Sequence, residues 1–153
     1  MTWIVASKGS SWWSRLICWT LGNEPVSHIS ILHTPYVYHS DLLGVRRERR
    51  ANYFARQVTT HVLRVPEFVD IELKYREHQH SWYDIGACLF LGLSFLARRY
   101  MKVPLPKSNL WQTTGMFMCT EWVTEGLGEV DSMITPWQLF KKLEEVYGKN
   151  QST

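Results

Sequence analysis

The chain has 153 residues, 45% of them hydrophobic and 20% charged, which is enough for one core, too little for two, and too apolar for a disordered protein. Its net charge of +3 is local, because Arg46, Arg47, Arg49 and Arg50 supply much of the excess, and this argues against nucleic acid as a partner. The longest apolar run, Ile85 to Ala97, falls short of the ~20 residues needed to cross a bilayer. From the N-terminus, Thr2 to Ala6 is expected as a short strand. Ser10 or Ser11 then caps a helix to about Thr20, with Trp12, Leu16 and Trp19 at helical spacing and Gly22-Asn23 ending it. His28 to Leu32 and Tyr36 to His39 read as two strands joined by a Thr34-Pro35 turn, with further strands at Gly44 to Glu48 and Thr60 to Val65. Pro66 starts a polar helix through Glu77, and an apolar helix follows over Trp82 to Arg99.

Met101 to Thr114 has no period and reads as a loop of functional length. Within it Trp111 forms either a wall of a substrate groove or a plug in the core. Gly115 leads into a short helix that begins near Cys119 and ends near Gly126-Leu127-Gly128, and Thr135-Pro136 starts a last amphipathic helix. One helix, several antiparallel strands and then mostly helices make an α+β chain. Residues 1–147 are expected as a single domain and 148–153 as a flexible tail.

Three cysteines, Cys18, Cys88 and Cys119, are too few and too irregular for a disulfide framework. Cys18 and Cys88 sit inside apolar runs and read as small buried hydrophobes. Cys119 stands at a helix start, where unpaired N–H groups and the helix dipole favour a thiolate. His28 opens a β-branched strand, and His39 lies eleven positions later on the next strand, a spacing that lets the two rings meet across the turn. A cysteine nucleophile needs a base to take its proton and a third group to orient that base. Cys119, His28 and His39 supply those types. The same three are also zinc-ligand types. His78-Gln79-His80 has the form of a metal pair but reads as helix surface.

Ser27-His28-Ile29-Ser30-Ile31 resembles the SHVGI-type signature of the circularly permuted papain-like hydrolases, the YiiX-like branch of the NlpC superfamily. Phe117-Met118-Cys119-Thr120-Glu121-Trp122-Val123 resembles the block that carries that branch's nucleophile, with Thr120 where Ser is usual and Trp122 where Leu is usual. Shorter likenesses at Ser14 to Ile17 with Thr20, His61 to Pro66, Tyr83-Asp84 and Thr135 to Leu139 follow in the same order. The resemblance implies a permuted papain-like α+β fold, an antiparallel sheet or small barrel packed against helices. It implies Cys119 as nucleophile, His28 as general base and His39 as the polar third member, with Asp41 and Glu48 as alternatives for that place. Tyr36 and Tyr38 are candidates for a tyrosine beside the thiol.

The expected activity is a cysteine hydrolase that cleaves an amide, as in cell-wall peptides, or an ester, through an acyl-enzyme and without cofactor or metal. The alternatives are a non-catalytic binding or structural component of a phage or bacterial assembly, with other proteins of that assembly as partners, and a lipid acyltransferase-like activity. The substrate is peptide-like or lipid-like. The N-terminus carries no recognisable secretory signal, so the expected compartment is the cytoplasm, or the virion or host cell if the chain is phage-derived.

Overall fold

In the computed structural model, which describes residues 2–66, 70–126 and 133–148, five strands build one antiparallel sheet. They are β1 (Thr2–Gly9), β2 (His28–His33), β3 (Tyr36–Asp41), β4 (Gly44–Arg49) and β5 (Gln57–Val65), in the order β4-β3-β2-β1-β5. The sheet is open, with β4 and β5 as its edges, so the α+β class is present and the small-barrel alternative is corrected. Six helices accompany it: α1 (Trp12–Thr20), α2 (Arg50–Arg56), α3 (Ile71–His78), α4 (Ile85–Met101), α5 (Cys119–Gly126) and α6 (Pro136–Tyr147). None of the described helices is long and apolar enough to cross a membrane.

Strand alternation sorts the core into two layers. On one face Ile4, Ala6, Ile29, Ile31, Tyr38, Leu63 and Val65 pack against Trp122 and Val123 of α5 and Leu139, Phe140 and Leu143 of α6. On the other, Val5, Leu32 and Val37 pack against Tyr53 and Phe54 of α2. Helix α2 lies where the sequence reading has only a link between strands. Its N-cap, Arg49, makes no side-chain capping bond, so no local signal starts it. The fully buried Tyr53 docks it on the sheet instead.

Helices α1, α3, α4 and α6 carry their own side-chain caps, each worth about 1 kcal/mol. Ser11 Oγ accepts from the Ser14 N–H at 3.2 Å at the start of α1, and Thr135 with Gln138 forms a capping box on α6. Helix α3 starts at Ile71, later than expected from Pro66, because the Asp70 carboxylate accepts from the Glu72 and Leu73 N–H groups. Asp84 does more than cap α4. Its Oδ1 accepts from Ala87 N–H at 2.7 Å and its Oδ2 from Thr113 N–H at 2.6 Å. One buried carboxylate thereby ties the long loop before α5 to the start of α4. The far end of the helix expected at Cys119, near Leu127-Gly128, and most of the expected tail lie outside the described residues.

Gly44 opens β4 with φ +92°, and a Cβ there would meet the Ser81 carbonyl oxygen at 2.2 Å. Only glycine lets the 81–83 segment run this close, held by a Val45 N–H bond to the same oxygen at 3.1 Å. That segment leads on to Tyr83, which is half-buried.

Candidate active site

The site begins with a parting of strands. β2 pairs with β3 only over Ile31–His33 against Tyr36–Tyr38. Beyond that point β2 stays paired with β1 as far as His28↔Ser7, and β3 with β4 as far as Asp41↔Gly44. Between the two diverging ends the N-terminus of α5 enters. Ser40 Oγ donates to the Phe117 carbonyl at 2.7 Å, and the backbone N–H groups of Ile29 and Thr120 interact with the Cys119 sulfur. The buried thiol is therefore set against the backbone of the histidine strand.

His28 and His39 lie on the α2 side of this opening. Their rings meet edge to face with centroids 5.4 Å apart. Beneath both lies Tyr53, whose ring centroid is 6.4 Å from that of His28 and 5.1 Å from that of His39. The Tyr53 hydroxyl is fixed by Ser7 Oγ at 3.0 Å and by Ser30 Oγ, which donates to it at 3.1 Å. Tyr53 is the site residue that the sequence reading misses, since it sits on a helix without a sequence signal. Tyr38 belongs to the layer that also holds Cys119, with its hydroxyl on Glu72 and its ring against Tyr75, and Tyr36 carries the Arg47 guanidinium over its ring.

Behind His39 stands a charged network. Nδ1 lies 3.8 Å from Asp41 Oδ2 and Nε2 lies 3.6 Å from Glu48 Oε1. Arg46 bridges those carboxylates at 2.6 and 2.7 Å, and Arg56 pairs with Glu48. The order is thus His28, then His39, then a neutralised carboxylate pair. Among the described residues the one trio of histidine, cysteine and carboxylate donors close enough for a metal is His39, Asp41 and Glu48, and there the Arg46 guanidinium already engages both carboxylates. The zinc set of His28, His39 and Cys119 does not converge. His78 faces Glu125, with Nε2 at 3.2 Å.

Burial governs the electrostatics. It pushes the His28 pKa down to about 3, helped by the like charge of His39 and opposed by Asp41. It also lowers His39, against the pull of Asp41 and Glu48. The Cys119 thiol rises to about 12, first through burial, with Cys88 and Glu121 adding to the rise and the Ile29 and Thr120 N–H groups opposing it. A thiol depressed by the helix start is therefore corrected: desolvation outweighs the dipole. The resting pair is neutral thiol and neutral imidazole, and Nε2 of His28, buried, makes no hydrogen bond. Cys18 and Cys88 are raised as well, by burial first.

Helix α5 carries a second buried acid. Glu121 reaches back to accept from the Met118 N–H at 2.8 Å, and burial raises its pKa to about 7. Trp111 does not plug the core: it is half exposed, with its ring 5.5 Å from that of Phe90, and it lies outside the lining of the cavity at Cys119. No family model, curated protein or solved structure matches this chain.

Proposed function

We propose that the chain is a cysteine hydrolase of permuted papain-like fold that transfers an acyl group from an amide or ester to water. The observation that supports this most is the parting of β2 from β3, which sets the Cys119 sulfur against the backbone of the His28–Ile29 pair while His39 meets the ring of His28. In this reading His28 is the general base, present as the free imidazole at neutral pH. His39 packs its ring edge to face on His28 and holds it in place, and the Asp41 carboxylate behind it favours the imidazolium that forms. A bond forms between the sulfur and the acyl carbon, the bond from that carbon to nitrogen or oxygen breaks, and the thiol proton passes through His28 to the leaving group. Water then attacks the thioester, releases the acid and restores the thiol. Because thiol and imidazole are both neutral at rest, proton transfer accompanies attack and does not precede it.

The raised thiol pKa favours a second reading, a binding module that retains the constellation without turnover. The two separate on one experiment. The protein is incubated with p-nitrophenyl acetate and its adducts are mapped by mass spectrometry. The hydrolase reading expects a hydroxylamine-labile acyl group on Cys119, absent in Cys119→Ala and formed about 100-fold more slowly in His28→Ala. Equal acylation of Cys18, Cys88 and Cys119, or none, supports the binding module.

A further inference from the structure

Cys119 lines a cavity of about 110 Å³ between α1 and α4. Its walls are almost entirely hydrocarbon: Ile17 and Leu21 from α1, Leu91 and Leu96 from α4, and Met118 beside the sulfur. Leu16, Leu89 and Leu93 also line it and are 37%, 47% and 55% exposed, so they form an apolar lip opening to solvent. A second cavity, about 220 Å³, lies on the His28 side and is lined by Asp41, Arg46, Arg56 and Gln57. Trp13, Ile17, Ser27 and Tyr83 border both cavities and form the partition between them. The sulfur thus faces hydrocarbon, and the imidazole faces charge and water.

We propose that the cavity at Cys119 is an acyl-chain pocket, and that the substrates are esters, thioesters or amides of aliphatic acids. This rests on the hydrolase reading and names its substrate class. The chain enters over the Leu16, Leu89 and Leu93 lip, the carbonyl carbon meets the sulfur, and the polar leaving group points toward the His28 cavity. A peptide donor is disfavoured, because an amide group in the pocket would lose its water against walls that are mostly hydrocarbon, where the Thr20 and Ser27 hydroxyls already bond Ile17 and Ser14. A cavity of 150 Å³ accommodates one benzene molecule, so 110 Å³ holds about four or five chain carbons beyond the carbonyl. Further carbons lie on the exposed lip and gain less.

The size of the pocket sets the test. Acylation of Cys119 is measured with p-nitrophenyl esters from acetyl to dodecanoyl, each below its micelle concentration, by nitrophenolate release and intact mass. The rate constant per molar ester is expected to rise about three- to fourfold for each methylene up to about hexanoyl, then to flatten. Gly92→Leu narrows the cavity from the α4 side, where a Cβ would already lie 3.5 Å from Thr20 Oγ1, and moves the break to shorter chains. Leu96→Trp serves the same purpose if that variant does not fold. Acylation of Cys119 at a rate independent of chain length overturns the pocket while leaving the nucleophile in place. Absence of acylation at every length overturns the hydrolase reading instead. The pocket is then judged by calorimetry with the unreactive amides from acetamide to octanamide: affinity that climbs with chain length supports it, and affinity that stays flat overturns it.

Discussion

The resting state of Cys119 is open to a direct measurement, the pH dependence of its alkylation by iodoacetamide. A pKa of about 12 in place of 9.0 lowers the thiolate fraction at pH 7 about 1,000-fold. The more basic thiolate is intrinsically the better nucleophile, and a Brønsted slope of ~0.4–0.5 returns roughly 15- to 30-fold. The net expectation is alkylation about 30- to 60-fold slower than that of a free cysteine peptide at pH 7, before any loss from burial. The rate should climb tenfold per pH unit from pH 6 to 10 without a plateau, because neither His28, with a pKa of about 3, nor the thiol titrates in that window. Peptide mapping assigns the label to Cys119 and separates it from Cys18 and Cys88. A plateau between pH 5 and 7, or labelling faster than the free peptide, would mean a thiolate–imidazolium pair at rest. It would refute the argument that desolvation outweighs the helix dipole here.

Two further outcomes follow from the neighbours of the site. Tyr53→Phe removes the hydroxyl that joins Ser7 and Ser30; the loss should be about 1–2 kcal/mol, seen as a melting temperature lower by roughly 2–8 °C, and an unchanged melting curve would show that those bonds do not anchor α2. Glu121, 4% exposed, has a folded pKa of about 7 against 4.5, so its stabilising contribution is complete below about pH 4.5 and lost as the pH rises through about 7. Glu121→Gln cannot ionise, and its melting temperature should gain on the wild type by roughly 3–10 °C between pH 5 and pH 8, on the order of 1–3 kcal/mol. Parallel curves over that range would contradict a buried, raised carboxyl.

The parts of the site that the sequence made legible are those written in local patterns. The β-branched run after His28, the Thr34-Pro35 turn and the eleven-residue interval foretell that the His28 and His39 rings meet. The caps of α1 and α6 lie on the expected serine and threonine-proline. What the sequence hides is what tertiary packing decides. Arg50 to Arg56 has no capping signal and becomes a helix because Tyr53 and Phe54 find an apolar sheet face. The helix start at Cys119 is visible locally and suggests a lowered pKa, but the burial that reverses it comes from the strands and helices around α5. The parting of β2 from β3 is invisible for the same reason: its filler lies far along the chain.

That distance bears on how the molecule folds. Strands β2, β3 and β4 are joined by short turns and pair with their neighbours in sequence, so they are free to form early. The segment that separates β2 from β3 arrives from 77 residues beyond Ser40, and closing so long a loop is slow. A hairpin of β2 and β3 formed early is expected to pair past Ile31 and Tyr38 until α5 docks, and a chain shortened before α5 should then pair these strands over more than the three residue pairs of the native sheet.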